Sequence, residues 1–199
     1  DGTAEEQVSV GANGVSGLFE KELTLDAGSH TIDIKCVYSL TSVFDYAVVR
    51  KTADLATVSS VGFATYSPSS NVSVPDDVKV YTVTVDAGGN SVTLHPVATG
   101  SVVEAGTGYV IEATEGSYPF AVSNEPLSSI GENALQVSDG TVTVAESDNI
   151  YVLAQRTDNV GFSKVASDVT IPAGKAYLEL SESQAKASFL SFGNIVTAI

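Results

Sequence analysis

The chain has 199 residues, of which 43% are hydrophobic, so it is long and apolar enough to bury a core, which argues against disorder. Its formal net charge is −15, with only nine Lys and Arg, which argues against binding to nucleic acid or an anionic membrane. No stretch approaches the roughly 20 apolar residues that span a bilayer, so we expect no membrane insertion.

The sequence begins at Asp1 and contains no Met, so we interpret it as a processed mature protein or an excerpt from a longer one. Its one cysteine, Cys36, excludes an internal disulfide framework and a cysteine zinc site. Cys36 alternates with Ile32 and Ile34, which predicts a buried, small apolar residue in a strand.

Period-two alternation and Val/Thr/Tyr-rich runs bounded by turn residues recur along the chain and predict an all-β protein. We expect an antiparallel β-sandwich, jelly-roll-like, with two small β subdomains. The Ser-Asp-Gly-Thr sequence at 138–141 predicts a two-residue type I′ hairpin. Only 182–191 has a composition that allows a short helical turn. The predicted strands are 18–25, 31–38, 44–50, 78–85, 91–97, 108–113, 135–138, 141–144, 150–155, 161–166 and 175–180.

A change in composition near residue 54 predicts a domain boundary. Residues 1–53 hold only three or four strands, too few to close a sandwich of their own. We therefore expect a partial β-sandwich that packs on the second part of the chain, on residues outside this sequence or on a partner. Residues 54–199 are expected to form a second β-sandwich.

An aliphatic residue, then Asp, Glu or Pro, then Ala-Gly precedes a predicted strand four times. Such a position indicates a turn with positive φ at the glycine. The third copy belongs to a Gly-Thr-Gly sequence, but a strand rather than a helix follows it, which argues against a phosphate-binding loop. The four copies end at Gly28, Gly88, Gly106 and Gly174.

Nucleophilic catalysis has little support in the sequence. The Gly14-Val-Ser16-Gly17 segment fails as a nucleophile elbow because its second glycine falls one position early. The two histidines, His30 and His95, are expected at the ends of strands. A pair of catalytic carboxylates for glycoside hydrolysis is neither indicated nor excluded by the sequence. Such a pair is recognised by the distance between its two carboxyl groups in the folded protein, and 24 acids are present.

Oxygen-rich pairs in predicted loops are the best candidates for a hard cation. Asp76 and Asp77, Asp148 with Asn149, and Asp158 with Asn159 offer oxygen ligands, and calcium takes six to eight of them. The sequence therefore allows a structural calcium site, for which we name Asp76, Asp77 and Asp158, and it indicates no other cofactor.

Exposed aromatic residues are the usual platform on which sugar rings stack. Trp is absent, and Tyr66 and Tyr118 lie in loop-like contexts, so these two tyrosines are the candidate ligand contacts. Packing within a turn is the alternative role for both. We expect Tyr81 and Phe192 to fill the core.

Three sequence motifs, and the order in which they occur, resemble those of a known domain. The motifs are Gly62-Phe-Ala-Thr-Tyr66, Tyr151-Val-Leu153 with Gly161-Phe-Ser-Lys-Val165, and Ile171-Pro-Ala-Gly-Lys-Ala-Tyr177. They are similar to a β-rich C-terminal domain of large secreted and surface proteins of Bacteroidota. The resemblance covers about 58–199. It implies an accessory role and supplies no catalytic residue.

Residues 18–50 contain Leu25-Asp-Ala-Gly-Ser-His-Thr-Ile32 followed by Phe44-Asp-Tyr-Ala47. This order resembles the closing strands of galactose-binding-like jelly rolls, among them carbohydrate-binding modules. The resemblance implies a polar contact at Asp45, with structural hydrogen bonding as the alternative.

Together these features predict a secreted or cell-surface, non-catalytic accessory module of a larger polysaccharide-acting protein, with a carbohydrate-binding or adhesive role. The expected partner is a polysaccharide or a neighbouring domain of the same parent chain. A spacer or assembly domain with no small-molecule ligand is the alternative, and a glycoside-active enzyme is the third.

Overall fold

A computed structural model of the protein describes residues 50–195, except 146, 147, 158 and 167. All of these belong to the second of two units into which the chain divides, Val49–Ile199. The predicted strands that begin before residue 50, the turn at Gly28 and the position of Cys36 lie outside the described residues. The boundary near residue 54 stays a prediction.

The prediction of an all-β fold is confirmed, because this part of the chain contains thirteen strands and no helix. The strands are β1 (Ala53–Val58), β2 (Phe63–Tyr66), β3 (Val72–Ser73), β4 (Lys79–Val85), β5 (Ser91–Val97), β6 (Val102–Val103), β7 (Tyr109–Glu112), β8 (Gly116–Ala121), β9 (Leu135–Val137), β10 (Ile150–Arg156), β11 (Asn159–Lys164), β12 (Ala176–Glu179) and β13 (Phe189–Ile195).

Nine of the strands form one sheet in the order β2-β7-β4-β5-β13-β11-β10-β12-β9, while β1 pairs with β8 and β3 with β6. All neighbours are antiparallel except β13 and β5, which run parallel. Strand β13, the last described strand, lies in the middle of the sheet. It joins the half built from β2, β7, β4 and β5 to the half built from β11, β10, β12 and β9. The fold is therefore β-sandwich-like, with one parallel pair that the sequence did not predict.

The large sheet curls, and its concave face encloses a core. A β-carbon at Gly108, just before β7, would lie 2.7 Å from the β-carbon of Ala176 in β12, so distant strands of the sheet approach each other there. Buried side chains of this core include Tyr81, Tyr151 and Phe162. The placement of Tyr81 in the core is confirmed, and Phe192 packs against the same cluster.

A second core lies between the sheet and the two small sheets. It contains Val80 and Ile111 from the large sheet, Ala56 and Phe120 from the β1–β8 pair, and Val72 from β3. Alternation explains the two cores, because Val80 and Tyr81 are neighbours in β4 and point to opposite faces. Both faces of the β4–β7 region are thus covered.

The predicted Asp-Gly hairpin is wrong. Strand β9 pairs with β12, and 141–144 forms no strand but runs beside 168–171, with an isolated bridge between Thr143 and Thr170. Gly140 has a φ of 91°, whereas Asp139 has a negative φ, so the pair lacks the two positive φ values of a type I′ turn. Asp139 instead accepts hydrogen bonds from the amide and hydroxyl of Thr141.

The Ala-Gly turns are confirmed at two of the three described positions. Gly106 and Gly174 have φ values of 73° and 74° at the third position of four-residue turns, closed by bonds from Thr107 N to Glu104 O and from Lys175 N to Pro172 O. These are type II turns. In the remaining copy the positive φ falls on Gly89 rather than Gly88, so the expectation is wrong there.

The short helical turn expected at 182–191 occupies only the first half of that segment. Residues 182–186 form turns, and the amide of Ala185 donates to the carbonyl of Ser181 at 2.9 Å, as in one turn of helix. Strand β13 then begins at Phe189.

Candidate functional site

The Phe63 cleft, of about 470 Å³, opens at the ends of β2, β4 and β7. We give this name to the depression lined by Gly62, Phe63, Asp76, Asp77, Lys79, Glu112, Ala113 and Thr114. Its walls combine an aromatic ring, three carboxylates and one ammonium group. Pockets with an apolar wall and a few polar groups are the usual form of small-ligand sites.

Strand register places the central side chains in one row. Glu112 of β7 lies opposite Phe63 of β2 on one side and opposite Lys79 of β4 on the other. Residues directly opposite on neighbouring strands project from the same face of a sheet, with β-carbons about 4.5–5.5 Å apart. The row is therefore fixed by backbone pairing and does not depend on a flexible loop.

Glu112 is held by two donors. Its Oε1 accepts a hydrogen bond from Nζ of Lys79 at 2.9 Å, and its Oε2 accepts one from the Tyr81 hydroxyl at 2.6 Å. Burial acts to raise the pKa of Glu112, but these hydrogen bonds and the Lys79 charge outweigh it, and the pKa lies below its usual value. Glu112 is therefore an ionised hydrogen-bond acceptor at neutral pH.

Phe63 is half-buried and forms the apolar wall of the cleft. Its ring packs on Phe192 of β13, with centroids 5.2 Å apart and planes tilted by 59°, and Phe192 in turn contacts Phe162 at 6.4 Å. Such tilted pairs are favourable contacts for aromatic rings. The aromatic wall of the cleft is thus connected to the core through the contacts among Phe63, Phe192 and Phe162.

Asp76 and Asp77, which the sequence indicates as cation ligands, are exposed and line the Phe63 cleft with Glu112. Over the described ranges, no group of three or more His, Cys, Asp or Glu side chains is placed to hold a metal ion. Asp148 accepts a hydrogen bond from the Ala145 amide. Asp158 lies outside the described residues, and a structural calcium ion stays a prediction.

Tyr66 is not the exposed aromatic residue that its loop-like context predicts. It is the last residue of β2, is only 7% exposed, and packs on Phe120 with ring centroids 4.6 Å apart. Burial, together with the nearby Asp54 carboxylate, raises the pKa of its hydroxyl. Its ring has no free face for a sugar, so the alternative of packing fits its surroundings.

Tyr118 is half-buried on β8, and its hydroxyl is occupied locally. The hydroxyl donates to the Thr114 carbonyl at 2.9 Å and lies 2.8 Å from the Thr114 hydroxyl. These bonds fit the alternative of packing within the turn. Asp45, the third predicted contact, lies outside the described residues, and ligand binding by these residues stays untested.

No sequence pattern indicates that Phe63, Lys79 and Glu112 lie together. Glu112 follows three apolar residues at the end of a predicted strand, and this pattern does not distinguish it from a solvated acid. The set depends on β7 pairing with β2 and β4, which are far from it along the chain, and no turn signal links those strands. His95, expected at a strand end, lies inside β5 opposite Thr82.

No protein-family model, curated protein or solved structure matches the chain. Both resemblances noted in the sequence stay predictions. Where the structure describes the chain, no helix has the length and apolar character needed to span a membrane.

Proposed function

We propose that the chain is a non-catalytic, extracellular accessory module that binds carbohydrate through the Phe63 cleft and belongs to a larger secreted polysaccharide-acting protein. The observation that carries this proposal is the row of Phe63, Glu112 and Lys79 across three paired strands. A ring face suits the apolar face of a sugar, and a fixed carboxylate and ammonium suit its hydroxyl groups.

The protonation of Glu112 supports binding rather than hydrolysis. A glycosidase needs a carboxylic acid whose pKa is raised, so that it can protonate the leaving oxygen. The pKa of Glu112 is lowered, and both of its oxygens already accept hydrogen bonds. Such a group orients hydroxyl donors and does not deliver a proton.

Charge favours neutral polysaccharides as ligands. The Lys79 ammonium is already paired with Glu112 at 2.9 Å, and Asp76 and Asp77 add two exposed carboxylates to the cleft. Uronate-rich polymers would bring further negative charge to a protein whose net charge is −15. We therefore expect weaker retention by polygalacturonate than by neutral glucans, xylans or mannans.

Affinity electrophoresis of the full chain through gels that contain these polysaccharides tests the proposal. At least one neutral polymer should retard the protein, and Glu112→Gln should reduce the retardation at least threefold. Glu125→Gln, which removes an exposed acid outside the cleft, is the matched control and should migrate like the wild type. Retardation by no polysaccharide would contradict sugar binding and favour the spacer role.

A further inference from the structure

A second cleft, of about 460 Å³, lies beside β4 and β5 and shares none of its lining residues with the Phe63 cleft. We call it the Thr82 cleft. One side of the cleft contains Thr82 and Thr84 of β4 and His95 of β5. The other side is formed by Ile130, Gly131 and Glu132, which belong to the segment 130–134 that we call the strap.

The strap takes the place of a strand along the second half of β4. Strand β7 pairs with β4 only from Lys79 to Tyr81. Beyond that point the Val83 carbonyl accepts from the Ala134 amide at 2.7 Å, and the Val83 amide donates to Oδ1 of Asn133 at 3.2 Å. One backbone–backbone bond and one bond to a side chain thus fix one end of the strap to β4.

Thr82 carries an unsatisfied hydroxyl in this cleft. The residue is fully buried, and its Oγ1 has no hydrogen-bond partner. The nearby Thr84 and His95 side chains form a hydrogen bond with each other, with Oγ1 of Thr84 and Nε2 of His95 2.7 Å apart. Buried polar atoms in native proteins are nearly always paired. The Tyr66 and Tyr109 hydroxyls are unpaired as well, but of the three only Thr82 lines one of the two clefts.

Charge decides which partner suits the cleft. Glu132 is exposed and is the only Asp, Glu, Lys or Arg among the lining residues. An anion would meet the Glu132 carboxylate and a protein of net charge −15. A neutral polyol would leave that carboxylate without a counter-charge, whereas an ammonium group offers three donors and a positive charge.

We propose that the Thr82 cleft binds an alkylammonium group, with the Glu132 carboxylate as counter-ion and the Thr82 hydroxyl as a hydrogen-bond acceptor. Free diamines, amino sugars and lysine side chains all present this chemistry. Because the Thr82 hydroxyl is buried, a bound ammonium group reaches it only if the chain at Ile130, which packs against the core that contains Val80, shifts. The site is independent of sugar binding at the Phe63 cleft.

Methyl-resolved NMR titration of the full chain tests the proposal with three matched four-carbon probes. 1,4-Diaminobutane should shift the methyl signals of Thr82, Thr84 and Ile130 saturably, while 1,4-butanediol and succinate should not. Glucosamine and Nα-acetyl-lysine methylamide then distinguish an amino sugar from a protein lysine as the source. Equal shifts with the diol, or no saturable shift with any amine, would overturn the proposal.

Two variants separate this site from general attraction of amines to an acidic protein. Glu132→Gln should weaken diamine binding at least tenfold, while Glu182→Gln, at another exposed acid, should leave it unchanged. Thr82→Val removes the hydroxyl at nearly constant shape, so it should raise the melting temperature and weaken diamine binding about threefold. Undiminished binding in either Glu132→Gln or Thr82→Val would contradict the assigned contacts.

Discussion

Glu112 shows how one side chain can be polar, half-buried and ionised together. Burial alone would favour its neutral acid, but the Tyr81 hydroxyl and the Lys79 ammonium both donate to the carboxylate and lower its pKa. Three separate strands contribute to the row that contains it. At the residue scale, this network is what makes the Phe63 cleft a candidate site.

A pH dependence of stability follows for Glu112. A carboxyl whose pKa is lowered by folding contributes stability above its unfolded pKa, near 4.5, and that contribution is lost as the pH falls through the lower folded pKa. Glu112→Gln should therefore lower the free energy of unfolding by about 1 kcal/mol at pH 7 and by progressively less below pH 4.5.

Urea unfolding at several pH values measures this difference. The control Glu125→Gln should show no such pH-dependent difference from the wild type. A difference between Glu112→Gln and the wild type that stays constant through acid pH would show that the carboxylate is not held in this way.

Gly108 tests the close approach between β7 and β12. A β-carbon there would lie 2.7 Å from the β-carbon of Ala176, which has no rotamer that would relieve the contact. Gly108→Ala should lower the free energy of unfolding by about 1–3 kcal/mol. Gly116→Ala, whose nearest neighbour would lie at 3.5 Å, is the matched control and should change stability by about 0.5 kcal/mol or less.

Rescue makes the Gly108 test specific. Ala176→Gly removes the opposing carbon, so Gly108→Ala should be less destabilising in that background than in the wild type. Additive effects in the double variant, measured by denaturant unfolding, would contradict the contact between the two positions.

At the scale of elements, local patterns predicted strands well where alternation was regular. The prediction of 91–97 coincides with β5, and 78–85 and 150–155 differ from β4 and β10 by one residue. The local signal of Asp139-Gly140 favours a hairpin, but β9 pairs with β12 and 141–144 runs beside 168–171. Strand β8 was missed because it contains Gly116 and Pro119, which are rare in strands.

Ser138 fixes the chain at the place where the hairpin was expected. Its buried Oγ donates to the Ile171 carbonyl at 2.7 Å and accepts from the Gly140 amide at 3.0 Å. Ser138→Ala leaves both backbone groups without this partner and should lower the free energy of unfolding by about 1–3 kcal/mol. The exposed Ser129→Ala serves as control.

Hydrogen exchange gives the local readout for the same variant. The Gly140 amide should exchange faster in Ser138→Ala than in the wild type, while amides in β4 keep their protection relative to global stability. Unchanged Gly140 exchange would show that the serine is not what holds this loop.

At the scale of the whole molecule, β13 explains why nine of the described strands form a single sheet. It is the last of the described strands, yet it lies between β5 and β11. The sequence did not predict this, because a parallel partner about 100 residues earlier leaves no local signal. The helical turn that the composition of 182–191 allows forms only at 182–186, before β13 begins at Phe189.

Removal of β13 should abolish cooperative folding. Deletion of 189–199 separates the two halves of the sheet and exposes Phe162 and the concave core, so we expect loss of the sharp thermal transition in circular dichroism. Deletion of only 196–199, which leaves β13 complete, should retain it. A cooperative transition of wild-type midpoint in the longer deletion would contradict the central role of β13.

The most direct test of the proposed function is an NMR titration of the full chain with a soluble oligosaccharide from the polymer that retards it most. We predict saturable shifts at Phe63, Lys79, Glu112 and Thr114, reduced in affinity by Glu112→Gln and unchanged by Glu125→Gln. Saturable binding that leaves these four residues unshifted, or no binding of any neutral oligosaccharide, would contradict carbohydrate recognition by the Phe63 cleft.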